Sequence, residues 1–392
     1  MQNGSFQGRE VVIVEAARTP IGRGHEEKGY YKDVHASNLL SKTYADVIER
    51  AGIEPNVVED AIAGCVQQFG EQGINVARNA WLEAGLPIET PGTTIDRQCG
   101  SAQQAVNFGA ALVASGVHDA VIGGGVEHMG HISFADGMEV MQEHGMAFSP
   151  QLMERYNLVP QGISAEMIAD KWEIPRSELD EIGLRSHQLA HRAAEEGRFE
   201  REIIPFTVND DTYVSDQGIR PDTSLEKLAA LKPAFKEDGK ITAGNSSQIS
   251  DGAAAVLMMT REKADELGLK PRARVLDQTT VGVDPVLMLT GPIPATRALL
   301  ERNGMKIGDI DLIEINEAFA SVVAAWRREL EPDMDRVNVN GGAIALGHPL
   351  GSTGARLLTT LLHELERSDE EVGLVTMCCG GGLGTGTIIQ RV

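Results

Sequence analysis

The sequence predicts an α/β fold built from one unit used twice, with a long insertion in the first copy. Three observations point to it. Short apolar runs alternate with helical stretches along the chain. An order of strand, reactive residue, Gly/Ser-rich turn and helix occurs once in the first hundred residues and again near the C-terminal end. Between about 126 and 250 the alternation gives way to a stretch rich in Met, His, Asp and Glu.

Residues 11–14 are Val-Val-Ile-Val and read as a buried first strand. Residues 37–51 read as an amphipathic helix. Ser37 is its expected cap, Leu39, Leu40, Val47 and Ile48 share one side, and Gly52 follows its end. Residues 61–64 and 93–96 read as further strands. Residues 101–115 are apolar or small on nearly every side and predict a buried helix. Ala120, Val121 and Ile122 form the next expected strand, closed by Gly123, Gly124 and Gly125. Strands alternating with helices predict a mainly parallel sheet covered on both faces. The insertion holds one strong amphipathic helix, with Ser177 as expected cap and Gly197 at its stop. After Asp251 the α/β pattern resumes. Residues 59–64 and the helix reaching Trp81 correspond to residues 310–315 and the helix reaching Trp326. Each copy then ends in a strand that runs into glycines, at 121–125 and 375–382. The expected division is 1–125 completed by 251–278, an inserted subdomain at 126–250, and a second half at 279–392.

The chain has 392 residues and a formal charge of −22, from 57 acidic and 35 basic side chains. Such a surface repels phosphate backbones, so nucleic acid is not an expected partner. No apolar run reaches membrane-spanning length and residues 1–5 lack the regions of a signal peptide, so no membrane partner or export is expected. The C-terminal residues are not a peroxisomal tripeptide. The four cysteines, Cys65, Cys99, Cys378 and Cys379, show neither zinc spacing nor a disulfide framework. Reduced thiols in the cytoplasm and no metal site are the expectation.

Cys99 lies between a strand and the start of a buried helix. Free N–H groups there favour a thiolate and are expected to lower its pKa. The competing reading is an inert core cysteine. His348 lies among glycines and a proline at 340–355, and the duplication sets it opposite Cys99, as a base beside its nucleophile. Cys378 precedes Cys379 and three glycines whose N–H groups can cradle an anion. A second thiol near the first suits separate nucleophile and acid/base roles. Asn316 follows a strand. It reads either as a helix cap or as an amide that orients a water or oxyanion.

Taken together, several segments carry a resemblance. They are Arg18-Thr19-Pro20-Ile21-Gly22, the Cys99 segment, Ala243 to Ser247 with Asp251 to Ala255, Asn316-Glu317-Ala318-Phe319, the His348 segment and the Cys378 segment. In order and spacing the chain resembles the thiolase family over essentially its whole length. The resemblance implies a duplicated five-layered α-β-α-β-α fold with an inserted loop subdomain. It implies a ping-pong cleavage of 3-ketoacyl-CoA, with coenzyme A as co-substrate and no permanently bound cofactor. Cys99 would be the nucleophile and Cys378 the acid/base. His348 would activate Cys99 and form one oxyanion site with a water held by Asn316. The N–H groups of Cys99 and Gly380 would form the other. Arg220, Ala243, Ser247, Met288 and Phe319 would line the CoA channel. A homo-oligomer, dimer or tetramer, is also implied.

Some positions depart from the family's patterns. Pro160 and Gln161 stand where short-chain biosynthetic thiolases carry His-Met. Lys227 replaces a small polar residue, and Cys379 an apolar one. The segments around Cys99 and Ser247 look most like thiolases of lipid and steroid side-chain degradation. Other readings are a biosynthetic acetoacetyl-CoA thiolase, a ketoacyl-synthase-type condensing enzyme and a non-catalytic lipid-binding relative. A condensing enzyme would lack Cys378, and a non-catalytic relative would have lost a catalytic residue.

Overall fold

The computed structural model describes residues 8–392. The first half contains β1 (Val11–Arg18), β2 (Gly22–Arg23), α1 (Ala36–Ala51), β3 (Asp60–Gly64), α2 (Val76–Glu83), β4 (Gly92–Ile95), α3 (Ser101–Ser115) and β5 (Ala120–His128). The insertion contains α4 (Phe134–His144), α5 (Pro150–Arg155), α6 (Gln161–Lys171), α7 (Arg176–Glu195), β6 (Phe206–Val208), β7 (Asp211–Tyr213) and α8 (Leu225–Ala229). The chain returns through β8 (Ser250–Thr260) and α9 (Arg261–Glu266). The second half contains β9 (Ala273–Gly282), α10 (Pro292–Asn303), β10 (Leu312–Ile315), α11 (Ala320–Leu330), α12 (Ala343–Leu346), α13 (Thr353–Ser368), β11 (Val372–Cys379) and β12 (Leu383–Arg391).

The duplication is visible in the strand order. The first half runs β4-β3-β5-β8-β1 and the second β10-β11-β12-β9. Val337 bridges Ile313 in parallel, at the place where β4 flanks β3 in the first copy. The halves join edge to edge, where Val12 and Ile13 pair with Arg274 and Ala273. The sheet is mixed rather than mainly parallel. Among the described strands, ladders are parallel between β10 and β11 and among β5, β3 and β4, and the other ladders are antiparallel. The reason is local: β12 returns from β11 through the short Gly380–Gly382 turn, which forces an antiparallel pair, and β8 returns beside β5 in the same sense.

Alternation along β1 assigns its two faces. Val11, Ile13 and Ala16 belong to a core with α3 and α13, while Val12, Val14 and Ala17 pack towards α1 and α2. Helices α3 and α13 form the middle layer. They approach so closely that a Cβ on Gly354 would lie 2.3 Å from the backbone nitrogen of Gln103. Gln103 also bonds the second half directly, donating to Val375 O at 3.1 Å and Thr387 Oγ1 at 2.8 Å.

Several local expectations change. The cap of α1 is His35, whose Nδ1 accepts the Ser37 N–H at 3.2 Å; Ser37 lies inside the helix. Helix α7 starts at Arg176 after Pro175, with no side-chain cap, so Ser177 is already helical. Pro175 itself holds the cap position in extended backbone, φ −76° and ψ 156°, and its ring has no atom that could accept a hydrogen bond from the first turn. β5 does not stop at Ile122. It continues through the three glycines to His128, paired with β3 and β8, which takes its end out of the expected insertion. β9 runs through the expected 278/279 junction and pairs along β12, so it opens the second half.

Candidate active site

Cys99 sits in a tight turn ahead of α3. Gln98 has φ +50°, the Ser101 hydroxyl donates to Gln98 O at 2.6 Å, and Asp96 accepts the Gln98 N–H at 2.6 Å. The left-handed residue turns the chain so that the next side chain points into the protein, where Cys99 is 3% exposed. Burial pushes its thiol up to about 11, although the N–H of Gly380 and its own N–H favour the thiolate. The expected depression of this pKa is therefore overturned: desolvation outweighs the helix start.

The turn after β11 brings Gly380 to Cys99. Cys378 is fully buried, and its thiol is pushed well above the usual range by desolvation and by the neighbouring Cys99 and Cys379 thiols. Successive residues of β11 face opposite ways. Cys378 joins the cluster containing Met288, Phe319 and Ile344, whereas Cys379 packs at the start of α3. A Cβ on Gly100 would lie 2.6 Å from Cys379 Sγ, so Cys379 fills the space beneath the nucleophile turn.

His348 comes from the segment between α12 and α13. Its Nδ1 lies 2.6 Å from Thr353 Oγ1, and that hydroxyl donates to Pro349 O at 2.7 Å. With its own proton committed, the hydroxyl accepts, so Nδ1 carries the ring proton and Nε2 presents a lone pair. Nε2 lies 3.3 Å from Asn316 Nδ2. Burial, with Arg356 nearby, holds His348 down at about 3, so it is neutral at rest. Asn316 does not cap a helix, since α11 begins at Ala320 without a side-chain cap. Its Oδ1 is buried without a hydrogen-bond partner among the described residues. Such an atom in a polar site fits an ordered water.

Met288 and Phe319 are buried in the cluster with Cys378, and Phe319 meets Phe235 edge-on at 5.9 Å between centroids. The segment carrying Ala243 and Ser247 runs alongside, with Ser247 N donating to Ala318 O at 3.0 Å. Arg220 lies on the exposed arm leading to α8, which packs over Gly244 through Leu228. The Lys227 ammonium is paired with Asp222 at 2.6 Å. Gln161, at the start of α6, reaches the turn as well: a Cβ on Gly380 would lie 2.9 Å from Gln161 Nε2 and 3.1 Å from Gln98 Oε1. The role of Thr353 was missed in the sequence reading. A hydroxyl five residues after His348, at a helix start, was the available signal.

Among the described residues, no three His, Cys, Asp or Glu side chains gather as metal ligands. No helix among them is long and apolar enough to cross a membrane.

Family models of the thiolase N-terminal domain and the thiolase C-terminal domain match residues 11–262 and 269–391. The chain belongs to the thiolase family. This thiolase is 46% identical to steroid 3-ketoacyl-CoA thiolase FadA6 of Mycobacterium tuberculosis, covering 98% of this chain and 94% of that protein. It is 44% identical to a 3-ketoacyl-CoA thiolase of Psychrobacter cryohalolentis, covering 98% of each. Its fold matches the crystal structure of the Bacillus anthracis acetyl-CoA acetyltransferase with a TM-score of 0.89, at 38% identity over all of both chains.

Proposed function

We propose that this thiolase cleaves 3-ketoacyl-CoA with coenzyme A, giving acetyl-CoA and a shortened acyl-CoA, in degradation of fatty acyl or steroid side chains. The observation that supports it best is that Cys99 of the first half meets the Gly380 N–H and the Cys378 thiol of the second; the buried, neutral His348, aligned by Thr353 and Asn316, is the base in this reading. His348 Nε2 takes the Cys99 proton as Sγ attacks the 3-keto carbon. The Cys99 and Gly380 N–H groups hold one oxyanion, and His348 with a water on Asn316 holds the other. The C2–C3 bond breaks, and its electron pair becomes the enolate of acetyl-CoA. Cys378 protonates that enolate. The Cys378 thiolate then takes the proton of incoming CoA, whose sulfur attacks the acyl-Cys99 thioester. Cys99 leaves as thiolate and recovers its proton from His348. A neutral thiol and imidazole at rest suit this route, because charge forms only as the substrate arrives.

Arg220, Ala243, Ser247, Met288 and Phe319 line the CoA path in this reading, with Arg220 supplying positive charge on an otherwise acidic chain. CoA is a co-substrate and nothing is bound permanently. The free cysteines suit the cytoplasm. A homo-oligomer is supported by β4, which among the described residues is unpaired on one side at a sheet edge, with Ile74 and Ile88 exposed nearby. The acetyl-CoA acetyltransferase neighbour favours a second reading, biosynthetic acetoacetyl-CoA chemistry. Pro160 and Gln161 in place of His-Met count against it.

The test is mass spectrometry and turnover. Incubated with a medium-chain 3-ketoacyl-CoA without CoA, the protein should gain the shortened acyl group on Cys99, and Cys99→Ala should gain none. With CoA added, turnover should exceed that on acetoacetyl-CoA. No adduct and no CoA-dependent consumption would refute the activity. A preference for acetoacetyl-CoA would favour the biosynthetic reading.

A further inference from the structure

We propose that Glu127 is a positioning residue for His348, holding the segment that carries this histidine in place through the N–H of Gly351. The inference rests on the function proposed above. Glu127 lies near the end of β5 and is fully buried. Its Oε1 accepts the Gln67 N–H at 3.0 Å and Gln72 Nε2–H at 3.1 Å. Its Oε2 accepts the Val66 N–H at 2.9 Å and the Gly351 N–H at 2.8 Å. Three of these donors belong to the first half of the chain. The fourth belongs to the second half, three residues beyond His348.

The contact leaves the 350–352 backbone little freedom. A Cβ on Gly125 would lie 1.9 Å from Gly351 O, and one on Gly351 would lie 2.3 Å from Val126 O. Gly351 is thus pinned between the β5 backbone and the Glu127 carboxylate. Two residues either side of it, Pro349 O accepts the Thr353 hydroxyl, which in turn accepts His348 Nδ1–H. The tautomer and aim of His348 therefore depend on a segment that Glu127 holds. Cys99 belongs to the first half and His348 to the second, so their relative placement needs a bond across the halves at this point. Glu127 supplies one beside the site. Four N–H donors on one carboxylate, each oxygen serving two, also explain why an acid stands here. An amide would turn its NH2 against two donors whichever way it faced.

The test uses Glu127→Asp and Glu127→Gln in the full chain, with Gln72→Leu as comparison. Gln72 bonds the same carboxylate but lies wholly in the first half. Misplacing a catalytic group by about 1 Å costs on the order of 100-fold. On that scale kcat should fall about 100-fold in Glu127→Gln and about tenfold in Glu127→Asp, with KM within about twofold. Alkylation of Cys99 by iodoacetamide, which His348 assists, should slow in step. Gln72→Leu should lower the melting temperature while leaving kcat within about threefold. If Glu127→Gln does not fold, Glu127→Asp decides. Full kcat in either folded Glu127 variant overturns the inference. So does a kcat loss that follows the melting temperature equally in Gln72→Leu, which would make Glu127 a structural residue only. Wild type forming the acyl-Cys99 adduct while Glu127→Asp keeps full kcat defeats this inference alone; no adduct in wild type defeats both readings.

Discussion

A Cys99 thiol pushed up to about 11 and a His348 imidazole held down at about 3 are both neutral at rest. This separates the site from one that stores a thiolate–imidazolium pair. The sign for pH follows. Alkylation of Cys99 by iodoacetamide in substrate-free protein should rise steadily with pH and show no plateau below about pH 9, since the reactive form is the thiolate. A plateau reached near pH 7 would mean a resident ion pair. Individual residues were only partly legible in the sequence. Cys99, His348 and Cys378 stood out because each sits beside glycines that mark a close backbone approach. Thr353 and Glu127 did not, because a hydroxyl in a helix start and an acid after an apolar strand are common features without their partners in view. The pKa of Cys99 was misread because the helix start is a local feature and burial is not.

At the scale of elements, the contact between α3 and α13 holds the two halves of the site together. Helix α3 follows Cys99 and α13 begins with Thr353, which orients His348. Gly354→Ala would put a methyl 2.3 Å from the Gln103 nitrogen, a backbone atom that cannot swing away. The expected cost is about 1–3 kcal/mol. A thermal melt should show a loss of at least a few degrees, with activity falling further because the Cys99 and His348 segments, proposed to act in catalysis, both move. An unchanged melting temperature would mean that the helices are not pressed together here. Element existence was read well from periodicity, since β1, α1 and α3 lie close to the expected spans. Caps and strand ends were read less well. Ser37, Ser177 and the three glycines at 123–125 carry ordinary stop and start signals that neighbouring residues override: His35 caps α1, Pro175 occupies the cap position of α7, and β3 and β8 keep the glycines in the sheet.

For the whole molecule, the sheet has two ends, and they differ. The outer side of β10 is bridged by Val337, whereas β4 has no partner on its outer side among the described residues. An open edge beside exposed Ile74 and Ile88 suits pairing with a second copy. Light scattering should give a mass of at least two chains, and Thr93→Lys in β4 should shift it towards one. A single-chain mass for wild type would exclude the proposed oligomer.

The duplication, the family and the three side chains proposed to react were legible in the sequence alone, because strand and helix periods and the spacing of Cys, His and Gly are properties of the chain order. Only the tertiary structure decided how those side chains are charged and held. Burial, the Gly380 N–H on Cys99, the Thr353 hydroxyl on His348 and the Glu127 carboxylate on Gly351 all join residues far apart in sequence or depend on the low-dielectric interior that folding creates. No local pattern encodes such contacts.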